Sequence, residues 1–410
     1  MRKTFAARAL AAAALLLLLA ACSDEGGADA PATLIVQAAG GESEIQAIEQ
    51  MAKAFEAKFA DVRVEVVGVA QQGDHMARLS TAFAAGEPPD VFLLNYRRFG
   101  QFAARGVIDP PQDLSIDDYY IQPLNAFTFE GRLLCLPQNV SSSVTYFNPS
   151  LFAKAGVPVP KAGWTFADMR SAAERLQAAG IEAIGFEHTM RTVAPFVWSA
   201  GGEVVDNVAK PTQITLDTPP ARAALTYLKD LLRFGVNAAE EAADPAEERF
   251  ARGELAMFLD SRRAVPKFRK SEALRFDVAP LPVDKQRATL LASDAYCVSK
   301  EGGHTEEAHE FARFAVGPEG GRILAATGRT VPSHMELSRS DVFLAPNEQP
   351  PSASVWLDNI DAVRPLPNVG PWNETEENAS DALEQFFADK LSLDQTVARI
   401  TDESKRLLSR

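Results

Sequence analysis

The stretch TLIVQAAGGESEIQAIEQMAKAFEAKFADVRVEVV, residues 33–67, predicts the kind of fold that this chain adopts. It starts with a short apolar run typical of a strand. Apolar residues then recur every three or four positions over 45–59, as on one face of a helix. Valine alternates with charged residues over 62–66, the period of a half-buried strand. A helix pattern at 79–83 and an apolar strand at 90–94 follow. Strand, helix, strand, helix, strand predicts an α/β fold with a mostly parallel sheet.

A second set of elements begins near Thr165, whose hydroxyl can cap a helix with Asp168 in the capping-box position. Residues 181–186 then return as a strand. Further helices are predicted at 220–234, 305–314, 380–387 and 392–408. A chain of 410 residues is too long for one ordinary hydrophobic core, so we expect two lobes.

The amino terminus is built like a secretory signal. Residues 1–21 combine the positive charges of Arg2, Lys3 and Arg8 with a short apolar run and small residues. The junction LAAC at 19–22 resembles the lipobox of bacterial lipoproteins, in which the cysteine is acylated. We therefore expect lipidation at Cys22 and a flexible tether over 22–32. The alternative is an ordinary cleaved signal followed by an incidental cysteine. Past the signal, no apolar run is long enough to span a bilayer.

Charge limits the partners of the mature protein. The formal net charge is −14 with the signal included, and loss of three positive signal residues lowers it to −17. A negative surface repels nucleic acid and anionic lipid head groups, which argues against both as partners. Cys135 and Cys297 remain after Cys22 is spent on lipid. Outside the cytoplasm they could form a disulfide, but two buried free thiols remain the alternative.

Several short motifs occur in a fixed order along nearly the whole mature chain. They are GEPPDV at 86–91, AARGVID at 103–109, LP at 136–137, TYFNPSLFAKAG at 145–156, GWTF at 163–166, WSAGG at 198–202, FARGELAM at 250–257 and GRTVP at 328–332. In this set and order, the chain resembles the family 1 extracellular solute-binding proteins, the ligand-capturing components of bacterial ABC importers for sugars.

The resemblance implies a periplasmic-binding-protein fold of two α/β lobes joined by crossing strands, with the ligand in the cleft between them. The crossings should fall near 136–142, 294–298 and 332–342. Each lobe is then discontinuous in sequence. We expect the N-terminal lobe to comprise 33–138 plus 297–335, and the C-terminal lobe 139–296 plus 336–410. Cys135 and Cys297 would lie beside two neighbouring crossings.

A sugar site needs aromatic rings for the C–H faces and planar polar groups for the hydroxyls. Open α/β sheets place ligands at the carboxyl ends of their strands. That rule and the family pattern predict the following ligand contacts: Glu42, Ser43, Asn95, Tyr96, Gln138, Asn139, Ser141, Trp198, Asp260, Ser261, Asp294, Tyr296, Arg329 and Trp356. The alternatives are helix capping or turns for Glu42 and Asn95, core packing for Trp198 and Trp356, and a surface charge for Arg329.

Two segments depart from the family pattern. The chain has DSRR at 260–263 where the family tends to have glycine and tryptophan, and SDAY at 293–296 where it often has paired glycines. Both changes add polar or charged groups where the cleft is expected. An amino or acidic sugar derivative is therefore a further candidate ligand.

Other classes of protein fit the sequence less well. It has no GxSxG elbow, no phosphate-binding GxxxxGK[ST] loop and no HExxH zinc helix, and its five histidines are scattered. We expect no enzyme activity, no cofactor and no metal. The alternatives are a binder of a non-sugar solute such as a polyamine and, less favoured, a secreted glycoside hydrolase. The expected partners are a small-molecule ligand, an ABC permease and the lipid bilayer, and we expect a monomer without nucleic acid.

Overall fold

The computed structural model describes residues 31–112 and 115–409, so the signal and Cys22 lie outside the described residues. Its strands are Ala32–Ala39, Val62–Val69, Val91–Asn95, Ile108–Asp109, Thr128–Phe129, Arg132–Leu133, Cys135–Pro137, Ser141–Ser142, Val144–Phe147, Glu182–Phe186, Leu255–Asp260, Asp277–Ala279, Thr289–Ala292, Asp294–Ser299 and Val363–Arg364.

The α-helices are Glu42–Lys58, Gln72–Ala85, Tyr96–Ala103, Ile121–Ala126, Pro149–Ala155, Phe166–Ala178, Met190–Ser199, Pro219–Leu231, Ala238–Ala243, Ala246–Ala251, Val265–Arg269, Thr305–Val316, Pro318–Ala325, Met335–Ser338, Asp341–Leu344, Val355–Asp358, Trp372–Phe387 and Leu393–Leu408. Short 3₁₀ turns occupy Leu232–Phe234, Arg262–Ala264 and Ile360–Ala362. No helix in the described part of the chain has the length and apolarity needed to cross a bilayer.

The first lobe is built on a six-stranded sheet. Ala32–Ala39 lies between Val62–Val69 and Val91–Asn95 and is parallel to both. Asp294–Ser299 then pairs antiparallel with Val91–Asn95. This direction follows from the chain path, because that strand enters from the other lobe instead of through a helical crossover. Its other side pairs antiparallel with Cys135–Pro137 and Ile108–Asp109.

The second lobe has a mixed sheet in the order Glu182–Phe186, Leu255–Asp260, Val144–Phe147, Asp277–Ala279. Only the first pair is parallel, and the other two pairings are antiparallel. The predicted two-lobed α/β fold is confirmed, but the expectation of a mostly parallel sheet is corrected for this lobe. The cause is again the path of the chain, since Val144–Phe147 enters this sheet from the crossing and runs against its neighbours.

A small third sheet marks the passage between the lobes. Thr289–Ala292 pairs with Ser141–Ser142 on one side and with Val363–Arg364 on the other. A backbone bridge between Asn139 and Pro332 adds a third passage of the chain at the same place. The whole of Asp294–Ser299 belongs to the first sheet, so residues 294–296 lie with the first lobe.

Two local features stabilise this framework. Thr165 and Asp168 form the predicted capping box at the start of Phe166–Ala178, which satisfies backbone N–H groups that the helix leaves free. Cys135 and Cys297 face each other on paired strands with a Cα–Cα distance of 4.5 Å and are joined in a disulfide. The bridge that the sequence left open is therefore present, and it fixes two neighbouring strands of the first sheet.

Candidate functional site

A cleft of about 610 Å³ opens between the two sheets, beside the strands that cross between the lobes. Its first-lobe wall contains the end of Val91–Asn95 and the start of helix Tyr96–Ala103. Its second-lobe wall contains the end of Leu255–Asp260 and part of helix Met190–Ser199. The volume is within the range of pockets that bind small molecules. A ligand in this cleft would contact both lobes.

A larger hollow of about 1100 Å³ lies on the outer side of the second lobe, between helix Pro219–Leu231 and the end of helix Trp372–Phe387. All of its lining residues belong to that one lobe. Closure of the lobes cannot enclose a ligand there. We therefore assign the solute site to the cleft between the lobes.

Half of the residues predicted from the sequence meet in this cleft. Asn95, Asn139, Ser141, Asp260, Ser261, Asp294 and Arg329 all line it. Several of them follow the carboxyl end of a strand or flank a crossing, which is the positional rule that selected them. The rule therefore found residues from both walls and from the crossing itself.

Asp294 is the centre of a polar cluster at the crossing. Asn95 donates from Nδ2 to its Oδ1 at 3.0 Å, and Asn139 donates from Nδ2 to its Oδ2 at 3.5 Å. Asn139 Oδ1 in turn accepts the backbone N–H of Asp294 at 2.6 Å. Asn95 also caps the following helix by accepting from the backbone N–H of Arg97. Its two suggested roles, capping and a place at the cleft, therefore coexist.

Three arginines lie on the first-lobe side of the cleft. Arg97 and Arg98 were not predicted from the sequence, and Arg329 was predicted without a partner. Arg97 forms an ion pair with Glu376, and Arg98 lies 3.6 Å from Glu377. Arg329 Nε lies 2.6 Å from a carboxylate oxygen of the buried Glu44. Arg97 and Arg98 directly follow Tyr96, so extending the strand-end rule by two residues would have found them. Their partners lie about 280 positions away in sequence, which no local pattern reveals.

The second-lobe wall carries a network centred on Arg263. One guanidinium nitrogen of Arg263 lies 2.6 Å from Asp260 Oδ2 and 3.0 Å from Glu187 Oε1. Arg191 pairs with the same Glu187. Burial raises the pKa of Asp260 to about 6, although Arg263 acts in the opposite direction. The ionised form of Asp260 is therefore less favourable in the folded protein than in the unfolded chain.

This shift predicts a pH-dependent gain in stability for Asp260→Asn. Because the pKa of Asp260 is higher in the folded protein than in the unfolded chain, its carboxyl contributes most to the free energy of unfolding below its unfolded pKa of 3.8. That contribution is lost as the pH rises through its folded pKa of about 6. Asparagine removes the cost of ionisation, so the variant should gain on the order of 2 kcal/mol relative to wild type between pH 4 and pH 7. Urea unfolding at both pH values measures it. The exposed Asp361→Asn is the matched control, and a stability difference for Asp260→Asn that is flat with pH would contradict the assignment.

The structure corrects four aromatic assignments, because each ring packs in a core instead of lining the cleft. Tyr96 is buried and its hydroxyl accepts the backbone N–H of Leu366 at 3.0 Å. Trp198 lies in the second-lobe core, on a helix whose residues are mostly buried. Tyr296 lies in the first-lobe core. Trp356 is fully buried and donates from Nε1 to Ser142 O. Phe196 is the one aromatic residue among the described residues that line the cleft.

Three polar assignments also lie away from the cleft. Glu42 and Ser43 sit in the first turn of helix Glu42–Lys58, where Glu42 is exposed and accepts a hydrogen bond from Gln46. This position favours the helix-terminus alternative, since a carboxylate stabilises the positive end of the helix dipole. Gln138 is buried beside the crossing but is not among the lining residues.

Metal-binding side chains do not cluster in the described residues. No group there of three or more His, Cys, Asp or Glu side chains has the arrangement to hold a metal ion. The carboxylates of the cleft instead lie beside guanidinium and amide groups. Such an array suits the recognition of hydroxyl and amino groups, since it offers both acceptors and donors.

Two α/β lobes that meet over a polar cleft define a protein that captures a solute between its halves. Residues 39–322 match the family described as bacterial extracellular solute-binding protein. The chain belongs to this family. Among curated relatives, the mannitol-binding protein of Pseudomonas aeruginosa is 24% identical over 354 residues, which are 79% of each chain. A sn-glycerol-3-phosphate-binding periplasmic protein of Brucella abortus is 22% identical over 57% of this chain and 58% of its own.

Solved structures show the same fold over almost the whole chain. An ABC substrate-binding protein of Listeria monocytogenes in complex with cycloalternan superimposes with a TM-score of 0.84 at 23% identity, covering 92% of this chain and 99% of that one. The GacH receptor of Streptomyces glaucescens, solved unliganded and with acarbose, gives a TM-score of 0.82 at 18% identity with the same coverage. At these identities the likeness establishes the fold.

Proposed function

We propose that this protein captures a sugar or polyol for a bacterial ABC importer and presents it to a membrane permease without altering it. The observation that carries the proposal is the cleft of about 610 Å³ whose polar residues come from both lobes. Relatives named for mannitol and glycerol phosphate, and a structural neighbour solved with cycloalternan, support a hydroxyl-rich solute.

Lobe closure is the proposed working step. Asn95 and Asp294 lie on the first sheet, whereas Asp260 ends a strand of the second and Ser261 follows it, so a bound solute bridges the two. Contacts to both lobes exist only when the lobes are together, and a ligand that makes them shifts the population towards the closed form. The permease would recognise that closed form. We also propose that lipid on Cys22 holds the mature protein at a membrane surface.

Thermal shift against a panel of sugars, polyols and polyamines tests the proposal. A solute present at about 100 times its dissociation constant should add about 2.7 kcal/mol to the free energy of unfolding. Small-angle scattering should show the protein contract with the same solute. Recovery of that solute unchanged after incubation excludes hydrolysis. A panel in which only polyamines act, or recovery of cleaved sugar, would contradict the proposed function.

A further inference from the structure

The walls of the cleft hold more acid than base. Five arginines line it, together with six carboxylates: Glu187, Asp260, Asp294, Glu376, Glu377 and Asp381. A seventh carboxylate, Glu44, pairs with Arg329 from behind the wall. The charged side chains in and behind the cleft walls therefore have a net negative charge. An anionic solute would meet a net repulsive site, since charges act over several ångströms inside a cleft with low-dielectric walls.

Each arginine of the cleft already has a carboxylate partner. Arg97 and Arg98 pair with Glu376 and Glu377 on helix Trp372–Phe387. The other three pairs have been described above, namely Arg191 with Glu187, Arg263 with Asp260 and Glu187, and Arg329 with Glu44. To recruit one of these arginines, a phosphate or carboxylate on the solute would have to displace a carboxylate of the protein.

Like the exposed Asp381, Asp294 forms no ion pair among the described residues, but of these two lining carboxylates only Asp294 lies at the crossing between the lobes. Its two carboxylate oxygens accept only from the neutral amides of Asn95 and Asn139. Those amides fix its orientation at the crossing, and each oxygen retains acceptor capacity. Asp294 is therefore a preoriented carboxylate that lines the cleft with no cation in direct contact, and Arg97 acts on its charge only from a distance.

A second observation at the same place points to a ligand. Ser141 lines the cleft and is only 4% exposed, and its hydroxyl has no hydrogen-bond partner among the described residues. A buried hydroxyl without a partner costs free energy. Ser141 and Asp294 both lie at the crossing, Ser141 in the small third sheet and Asp294 at the start of its strand of the first. A solute that donates hydrogen bonds there would satisfy both groups.

Resting on the proposed function, we infer that the solute is a sugar or polyol that carries an ammonium group, that Asp294 accepts this group, and that the cleft rejects phosphorylated sugars. Closure removes water from Asp294, and burial of an unpaired charge is costly. An ammonium group supplies the missing cation and a charge-assisted hydrogen bond. A neutral hydroxyl supplies a weaker bond and leaves the charge unpaired.

Calorimetric titration of the full mature chain with matched probes tests this inference. The probes are glucose, glucosamine and glucose 6-phosphate, and the disaccharide pair cellobiose and its 2,2′-diamino counterpart. The amino sugar should bind about tenfold tighter than its neutral parent, a difference of about 1.4 kcal/mol, because only the ammonium group supplies a cation that pairs the charge of Asp294 in the closed cleft. That advantage should shrink as salt rises, whereas binding of the neutral parent should hardly change. Glucose 6-phosphate should bind more weakly than glucose.

Asp294→Asn is the diagnostic variant, since it keeps the shape and removes the charge. The ratio of amino-sugar to neutral-sugar affinity should fall towards one in this variant and stay unchanged in Asp361→Asn, an exposed site outside the cleft. A ratio is independent of the fraction of active protein, and the wild-type salt series stands alone if the variant does not fold.

The outcomes separate the two claims. Neutral sugars that bind as tightly as amino sugars, or a phosphate derivative that binds more tightly than its parent, would overturn the inference and leave the proposed function standing. If neither neutral nor amino sugars bind, the proposed function fails and the inference fails with it.

Discussion

Opening the Cys135–Cys297 disulfide should lower the free energy of unfolding by about 5 kcal/mol. The bridge spans 162 positions, and in the chain-entropy model a closed loop of that length restricts the unfolded chain by about this amount. Both cysteines are almost fully buried on paired strands of the first sheet. The loss should appear as a lower midpoint in urea unfolding of the double variant Cys135→Ala, Cys297→Ala.

Reduction of the wild-type protein separates the cross-link from the packing of the side chains. The reduced wild type keeps both sulfurs and their contacts, so it should lose nearly as much stability as the double variant. Added reductant should leave the double variant unchanged. A loss below about 1 kcal/mol on reduction would show that the bridge does not restrict the unfolded chain as the loop length implies.

The parts of the fold that sequence predicted are those set by local chemistry. The three parallel strands of the first sheet, the helix from Glu42 and the capping box at Thr165 all depend on residues close together in the chain. The strand directions in the second sheet do not depend on residues close together in the chain. They depend on where the chain enters the sheet after crossing between the lobes, so Val144–Phe147 runs antiparallel to both of its neighbours.

The site shows the same division. Asn95 was selected because it follows the end of a strand and Asp294 because it flanks a crossing, and the structure brings their side chains to 3.0 Å. The aromatic rings were selected by the same positional rule and by the family pattern, but the structure places them in the cores. A ring next to a cleft motif satisfies its burial equally well on the core side, as Trp198 does. The polar lining suits a site that binds mainly by hydrogen bonds, with little ring stacking.

Arg262 illustrates a feature that no sequence rule anticipates. It is fully buried and has no carboxylate partner in the part of the chain that the structure describes, and its guanidinium lies 4.6 Å from the ring centre of Trp356 and 4.2 Å from that of Phe343. It donates to the backbone oxygens of Gly328 and Phe343. Burial lowers its pKa to about 9. Arg262 thus ties the chain beside Asp260 to the loop that carries Arg329, which couples residues of both walls.

Gly100→Ala should destabilise the protein by about 3 kcal/mol or more. Gly100 lies in helix Tyr96–Ala103, where an added Cβ would sit 1.6 Å from the backbone oxygen of Asn368. Overpacking a close contact typically costs about 1–3 kcal/mol, and here the obstacle is backbone and cannot rotate away. Asn368 is itself held, because its Nδ2 donates to Ala126 O at 2.7 Å.

Gly73→Ala is the matched control for this prediction. Gly73 also lies in a helix, Gln72–Ala85, and nothing is within 4 Å of its added Cβ. That change should be neutral or stabilise by up to about 1 kcal/mol, since alanine favours a helix over glycine. Urea unfolding of the two variants measures the contrast, and equal stabilities would show that helix Tyr96–Ala103 and the segment at Asn368 separate freely.

Gly100→Ala should also weaken solute binding. Helix Tyr96–Ala103 carries Arg97 and Arg98, whose partners Glu376 and Glu377 follow Asn368 on the next helix. If that helix moves away from Asn368, these ion pairs are strained and the first-lobe wall of the cleft shifts. We therefore expect lower affinity in the calorimetric titration at temperatures where Gly100→Ala is still folded, with Gly73→Ala unaffected. Unchanged affinity in a destabilised Gly100→Ala would mean that the contact supports the fold without shaping the cleft.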